Sequence, residues 1–510
     1  MSLKKNVAAN VLGRAWTSII GFVFLPYYLE LMGEEAFGLV GFSSLLISLA
    51  ALLDLGMTPT LTRSMSQLRA GKMSSQSIHN LLRSVECFYF LIVLAITVII
   101  FAASGWIGEC WLKPENLSVE TISRAISIIA FLVGTQFALG IYQGALFGLE
   151  KQVFYNILNA LLGTIRHFGA LLLLIFVSHD VNIFFLWQAS LSVLTLGIMA
   201  LAVHWFLPAA ESRPRFAMAE LQKIFGFATA MSIISLLSVL LIQTDKFILS
   251  YLLSLKDLGY YTLAASVSAT LLVIAVPLTQ SVFPKLYELV AVGDSAGFVK
   301  TYHQGSQLIS VTIAPAAIFL VFFARELVFV WSGNATLAAE THWIVRGLAL
   351  GTFLNCLLWM PYQSMIAHEW TSLIIKAGLV SLVLMIPSTI WITTAYGATG
   401  AAFNWVALTA GNMLVVVHLM HKRILCDQQW RWWIGDVALP VGAVALVAVI
   451  SLPVIRLLEG NRIGLGIGLV AAGCIATGVA LLTASETRAV AQRLWSLRVA
   501  GPWSVRRHGS

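Results

Sequence analysis

The stretch GEEAFGLVGFSSLLISLA, residues 33–50, returns in altered form as SLKDLGYYTLAASVSATL, residues 254–271. A shift of 221 residues aligns Gly38 with Gly259 and Ser44 with Ala265. Each copy follows a long apolar run and leads towards a basic segment. Self-similarity at a fixed spacing is typical of duplicated architectures. The sequence therefore predicts a fold built from two related halves.

Charged residues are too scarce for a water-exposed surface. The 510 residues are 59% hydrophobic and 11% charged, with a mean hydropathy of +0.88. Soluble domains are about a quarter charged. The apolar runs are continuous and do not alternate with polar residues, which argues against a membrane β-barrel. We therefore predict an all-α polytopic membrane protein.

A helical membrane span needs roughly 20 apolar residues. The predicted spans eleven (370–394) and twelve (398–420), in the series given below, are separated only by the short stretch AYGATG (395–400). Six spans separate the two copies of the repeat, and an even number predicts a parallel repeat, typical of some secondary transporters with a site between the halves. Fourteen runs qualify: 7–32, 36–62, 80–104, 121–148, 153–177, 181–207, 222–250, 256–284, 303–325, 338–366, 370–394, 398–420, 433–456 and 461–484.

The predicted domains follow from these spans. Residues 1–215 form an N-terminal six-helix bundle, 216–425 a second six-helix bundle and 426–485 two additional helices. A basic cytoplasmic tail, 486–510, suits an amphipathic segment on an anionic inner leaflet or, equally, a solvated tail. MSLKKN leads directly into a long span, so no cleavable signal peptide is expected.

Basic residues fix the predicted orientation, because cytoplasmic loops carry an excess of Lys and Arg. With the N-terminus inside, the inner segments hold 20 of the 31 basic residues, the outer segments 6 and the spans 5. Both termini are therefore predicted to be cytoplasmic. The same distribution explains the net charge of +8 without nucleic-acid binding.

Charges inside spans are the candidate functional residues, because a charge at the bilayer centre costs about 2.5–3.5 kcal/mol on insertion scales. Most are basic, which predicts a cationic cavity for an anionic substrate. Asp54 and Asp245 are candidates for ion coupling. The proposed substrate-binding residues are Arg14, Arg166, Asp245, Lys246, Arg346 and Lys376.

Each candidate also has a purely structural interpretation. Arg14 and Lys376 lie near a membrane surface and can snorkel to it. Asp54 can form a structural hydrogen bond to a neighbouring helix, and His167, beside Arg166, fits a neutral helix-contact residue. Neighbouring helical residues point about 100° apart. Asp245 and Lys246 therefore pair poorly with each other, and they also suit an anchor near the outer surface.

Several motifs are missing from the sequence. Gly71-Lys72 is followed by Met73 and lacks the upstream glycine of a nucleotide-binding loop. The five cysteines are scattered and no HExxH occurs, so neither a metal nor a cofactor is expected. No large outer loop carries paired carboxylates for glycosyl transfer. We therefore expect a transporter that is not an enzyme.

Five stretches together resemble the Wzx-type polysaccharide flippases of the multidrug/oligosaccharidyl-lipid/polysaccharide exporter superfamily. They cover most of residues 6–290, and the layout of twelve plus two spans extends the likeness to the whole chain. The stretches are NVAANVLGRAWTSIIGFVFLPYYLELMGEEAFGL (6–39), LLDLGMTPTLTRSMSQ (52–67), YQGALFGLEKQVFYN (142–156), TDKFILSYLLSLKDLGYY (244–261) and VPLTQSVFPKLYEL (276–289).

The resemblance implies a V-shaped pair of six-helix bundles that moves an undecaprenyl-pyrophosphate-linked oligosaccharide, an O-antigen or exopolysaccharide repeat unit, to the periplasmic leaflet. Arg14, Asp245 and Lys246 match family positions. Implied partners are membrane lipids, a proton or sodium gradient, and the polysaccharide polymerase and chain-length machinery. The alternatives are a lipid II flippase, a drug exporter of the MATE type with a more acidic cavity, and a membrane glycosyltransferase.

Overall fold

A computed structural model describes residues 3–54, 56–210, 212–218 and 239–486, and every regular element in these ranges is helical. This confirms the predicted all-α membrane fold. Twelve of the described helical segments are long and apolar enough to cross a membrane. The first half contains α1 (Leu3–Met32), α2 (Glu34–Ala50), α3 (Met57–Arg69), α4 (Ser75–Trp106), α5 (Val119–Gly148), α6 (Gln152–Phe176), α7 (Val181–Phe206) and α8 (239–252).

The rest of the described chain continues in the same way. The predicted span seven, 222–250, begins outside the described residues, and only its second part is seen as α8. The remaining helices are α9 (Leu255–Ala291), α10 (Ser295–Phe322), α11 (Ala324–Ser332), α12 (Ala335–Leu357), α13 (Trp359–Ala367), α14 (Thr371–Arg423), α15 (Gln429–Leu457) and α16 (Arg462–Thr483).

Local capping residues set several helix starts. Ser74 and Ser118 accept hydrogen bonds from the backbone N–H groups of Ser77 and Thr121, at 3.1 and 3.2 Å. Asn461 accepts from two N–H groups at the start of α16. These side chains satisfy backbone donors that the first turn of a helix leaves free.

Helix α14 confirms the predicted break at 395–400. Its 53 residues are two helices joined at Gly397, whose φ of 61° and ψ of −151° are not helical. Glycine adopts a positive φ without the steric cost that other residues pay. The segment therefore contains both predicted spans eleven and twelve.

The prediction of one continuous span over 36–62 is wrong. Helix α2 ends at Ala50, a 3-10 turn covers Ala51–Asp54, and α3 starts afresh at Met57. Gly56 lies between them with a φ of 72°. A left-handed residue at that point breaks the helical hydrogen-bond ladder, which an apolar run alone does not reveal.

The chain divides into two compact units, residues 1–263 with 385–401, and residues 264–384 with 402–510. In the first, α5 is the most buried described span and packs against α4, α7, α3 and α2, while α1 packs against α6. In the second, α10 is the most buried and packs against α12, α15 and α16. The domain boundaries predicted from the spans stay a prediction.

Candidate functional site

None of the seven candidate charges forms an ion pair within the part of the chain that the structure describes. Five lie in the first unit and two, Arg346 and Lys376, in the second. Buried charges in proteins are normally paired. Arg14 and Lys376 are exposed, so this rule does not apply to them. Arg166, Lys246 and Arg346 are half-buried without a carboxylate partner among the described residues, and these three need a functional explanation. The first-unit residues are Arg14, Asp54, Arg166, Asp245 and Lys246.

Polar side chains follow the contact between α1 and α6. The Asn10 amide donates to Gln152 at 2.9 Å, and the Asn156 amide donates to Asn10 at 2.6 Å. About two turns further on, the Trp16 indole N–H donates to the Thr164 hydroxyl at 3.0 Å. Hydrogen bonds of this kind hold helices together in an apolar environment. The row fixes α1 against α6 on the turns that carry Arg14 and Arg166.

His167 is a helix-contact residue, as the structural interpretation predicted. The Tyr28 hydroxyl lies 3.1 Å from His167 Nδ1 and donates to the His167 carbonyl oxygen at 3.0 Å. The imidazole also stacks on Phe24, with ring centroids 5.8 Å apart. These contacts occupy the ring and tie α6 to α1, so His167 is not part of the candidate binding set.

Arg166 differs from its neighbour because part of its guanidinium has no partner. The side chain is half-buried, and its Nε is a buried donor without a hydrogen bond in the described structure. Its backbone carbonyl accepts from the Trp187 indole at 2.9 Å, which fixes the backbone. An unmet guanidinium donor is costly, and an anionic ligand would remove that cost.

Asp245 and Lys246 have separate environments, which agrees with the predicted 100° divergence. Asp245 Oδ2 accepts from the Tyr261 hydroxyl of α9 at 2.8 Å, while Oδ1 is buried without a hydrogen bond. Lys246 is half-buried and has no carboxylate within ion-pair distance among the described residues. The acid is therefore tied to a neighbouring helix, and the ammonium group is not.

Arg346 lies on α12 above an aromatic ring. Its guanidinium carbon is 4.6 Å from the centroid of Trp343, and Nη2 donates weakly to the Phe322 carbonyl at 3.4 Å. Its Nε is buried and has no hydrogen-bond partner in the part of the chain that the structure describes. Lys376, by contrast, is exposed near the start of α14, the position from which a lysine can snorkel.

Asp54 has the structural role that was its alternative interpretation. It accepts from the backbone N–H and the hydroxyl of Thr58, at 3.2 and 2.5 Å, and from the Tyr89 hydroxyl. These bonds join the 3-10 turn to the first turn of α3 and to α4. A role for Asp54 in ion coupling remains a prediction.

Sequence reasoning missed a buried polar cluster in the second unit. His303 and Asp436 are fully buried, with His303 Nδ1 2.5 Å from Asp436 Oδ2. Gln307 donates to Asp436 Oδ1 at 2.9 Å, and His303 Nε2 lies 3.1 Å from Gln428 Oε1. Asp436 stands in the apolar run WWIGDVALP and could have been found by a census of acids in spans. Its partner His303 could not have been identified from the sequence, because it lies 133 residues away along the chain.

Comparison with known proteins gives a consistent result. Residues 3–290 match the family described as "Polysaccharide biosynthesis protein". The chain is 23% identical over 421 residues to a "Putative O-antigen transporter" of Shigella flexneri, covering 79% of this chain and 94% of that protein. It is 24% identical over 444 residues to a "Putative O-antigen transporter" of Escherichia coli K12, covering 84% and 99%.

Two solved structures share the fold. The lipid II flippase MurJ in an inward closed conformation superposes with a TM-score of 0.70 at 14% identity, over 93% of this chain and 97% of that one. An inward-facing MATE multidrug transporter of the MOP superfamily superposes with a TM-score of 0.63 at 12% identity, over 80% and 94%. The relatives and neighbours named here are transporters or flippases.

Proposed function

The chain belongs to the polysaccharide biosynthesis protein family, and from this premise we propose that it flips a lipid-linked oligosaccharide across the membrane. The substrate is an undecaprenyl-pyrophosphate-linked O-antigen or exopolysaccharide repeat unit. It moves from the cytoplasmic to the periplasmic leaflet of the bacterial inner membrane by alternating access, with both termini of the chain in the cytoplasm.

The observation that carries the proposal is a set of cationic groups for which the described residues supply no carboxylate partner. A pyrophosphate headgroup cannot cross hydrocarbon, whereas its polyprenyl tail can remain in the bilayer. The headgroup therefore needs hydrogen-bond donors along its path through the protein. Arg166 and Arg346, whose buried Nε atoms have no hydrogen-bond partner among the described residues, offer the planar guanidinium that matches phosphate oxygens.

Aromatic residues beside these charges suit the sugar part of the substrate. Trp343, which is half-exposed next to Arg346, presents a ring face on which a pyranose can stack. Asp245 Oδ1, for which no side-chain partner is seen among the described residues, can accept from a sugar hydroxyl or take up a proton during the cycle. Arg14, Lys246 and Lys376 complete the proposed substrate-binding set. A cavity for drug cations would instead favour acids.

The test is a deletion strain of the host. We expect loss of surface polysaccharide together with accumulation of lipid-linked repeat units on the inner leaflet, and restoration of both by the intact gene. Normal surface polysaccharide in the deletion strain would overturn the proposal. Rescue of cells depleted of their lipid II flippase, without any effect on surface polysaccharide, would establish that alternative in its place.

A further inference from the structure

The two copies of the internal repeat touch each other through their matching glycines. A Cβ placed on Gly38 would lie 2.1 Å from the Leu255 carbonyl oxygen, and a Cβ on Gly259 would lie 2.4 Å from the Glu34 carbonyl oxygen. The 221-residue shift relates Glu34 to Leu255 and Gly38 to Gly259. The contact is therefore reciprocal, as it is across a two-fold axis. Both glycines are needed for the two backbones to approach this closely.

The side chain of Glu34 reinforces the same crossing of α2 and α9. Its carboxylate accepts from the Tyr260 hydroxyl at 2.5 Å and lies 3.3 Å from the Lys256 ammonium group. Glu34 and Lys256 are each about one-third exposed, 34% and 38%. An ion pair with that exposure is screened by solvent and is easily broken. At this crossing the backbones of α2 and α9 are in close contact, whereas the ion pair between Glu34 and Lys256 contributes little to holding the two helices together.

The loop between α4 and α5 is attached to both sides of this crossing. Buried Glu35 of α2 accepts from the backbone N–H groups of Asn116 and Leu117, at 2.7 and 2.9 Å. On the other side, the Trp111 indole donates to Ser250 of α8 at 3.1 Å. Leu255 N–H donates to the Lys113 carbonyl at 2.9 Å. Residues 107–117 therefore span the junction at the end of the helices predicted to face outward.

We propose that the Gly38–Gly259 crossing is the outer gate of the transporter, and that it must part for the headgroup to leave. This inference rests on the proposed function and on the predicted orientation. Small residues let helix backbones approach closely in a membrane. At the two glycines no side chains interdigitate, so the helices can separate there without a change of rotamer. Its reciprocity gives both halves of the repeat the same part in opening and closing.

Spin-label distances test the gate without reference to any substrate. The labels are placed at Glu34→Cys and Lys256→Cys in a chain whose exposed cysteines Cys110, Cys426 and Cys474 are replaced by serine. Double electron–electron resonance in liposomes should show a short and a long distance population. Gly259→Leu should enrich the long population at least threefold. The control Gly105→Leu, where a Cβ meets nothing within 4 Å, should leave it unchanged.

Cross-linking then tests whether opening is needed for transport. A cleavable thiol cross-linker that joins the two thiols introduced by Glu34→Cys and Lys256→Cys should cut flipping at least tenfold, and cleavage should restore it. The control joins the thiols of Glu120→Cys and Arg124→Cys, two positions of the same helix whose native charged atoms are 2.6 Å apart, and should have no effect.

The outcomes separate the gate from the proposed function. A single short distance in every variant, or full flipping with the linker in place, overturns the gate while leaving the flippase proposal standing. Two distance populations in a chain that moves no lipid-linked oligosaccharide support the gate and overturn the flippase proposal.

Discussion

The buried pair of His303 and Asp436 is expected to dominate the stability of the second unit, and Asp436→Ala tests this directly. Both side chains are fully buried, and His303 Nδ1 lies 2.5 Å from Asp436 Oδ2. The substitution removes the acceptor for His303 Nδ1 and also for the Gln307 amide, 2.9 Å from Oδ1. Both of these donors lie on α10, the helix against which α15 and α16 pack.

The expected loss follows from this geometry. Removing one partner of a buried hydrogen-bonded pair costs roughly 3–5 kcal/mol, because the other partner is left buried and unpaired. Replacing both partners by apolar residues is often close to neutral. We therefore expect Asp436→Ala to lower the free energy of unfolding by about 3–5 kcal/mol. Adding His303→Leu should recover about half or more of that loss.

Equilibrium unfolding of the purified full chain in a denaturing-detergent titration measures these differences as a double-mutant cycle. Glu120→Ala is the control, since its ion pair with Arg124 is well exposed, 76% and 70%, and contributes about 0–1 kcal/mol. An Asp436→Ala loss no larger than that of the control would refute the reasoning. So would a double variant whose loss equals the sum of the two single losses.

Three further predictions concern transport and pH. Arg346→Ala should reduce flipping in reconstituted vesicles by about tenfold or more, since hydrogen bonds to charged groups contribute about 1.5–3 kcal/mol, whereas exposed Lys376→Ala should change it less than about threefold. Asp245→Asn should lower flipping and its dependence on membrane potential; unchanged values of both would rule out ion coupling there. A hydrogen bond from Arg69 lowers the pKa of Glu150 below its usual 4.5. That stabilisation is present at neutral pH and is lost as the pH falls through the folded-state pKa, so Glu150→Gln should flatten the acid limb of the Tm–pH curve.

Features that repeat along the sequence could be predicted, because they depend on local pattern. The apolar runs located most of the spans, and the glycine in AYGATG marked the change of direction in α14. The alignment of Gly38 with Gly259 was evidence for a repeat, and the contact between the two glycines was seen only in the structure. The break between α2 and α3 was missed, since it depends on one left-handed glycine, Gly56, within an otherwise apolar run.

Partners of the candidate charges could not be predicted, because they are set by packing between distant segments. Asp54 is held by Tyr89, 35 residues away, and His303 by Asp436, 133 residues away. Periodicity says which face of a helix is polar but not which neighbour that face meets. The sequence therefore identified charges in spans as unusual without distinguishing a hydrogen-bonded acid such as Asp54 from an unpaired base such as Arg166.

Asp245 and Lys246 illustrate why this distinction matters for mechanism. Asp245 is bonded to Tyr261, which lies two residues beyond Gly259 and next to Tyr260, whose hydroxyl meets Glu34. Any change at the Asp245 carboxylate therefore acts on the turns of α9 that cross α2. Among the described residues no carboxylate lies within ion-pair distance of Lys246, which is why we propose it as a ligand for an anionic headgroup. The two neighbouring charges thus suit different tasks, the acid in positioning the crossing and the base in binding substrate.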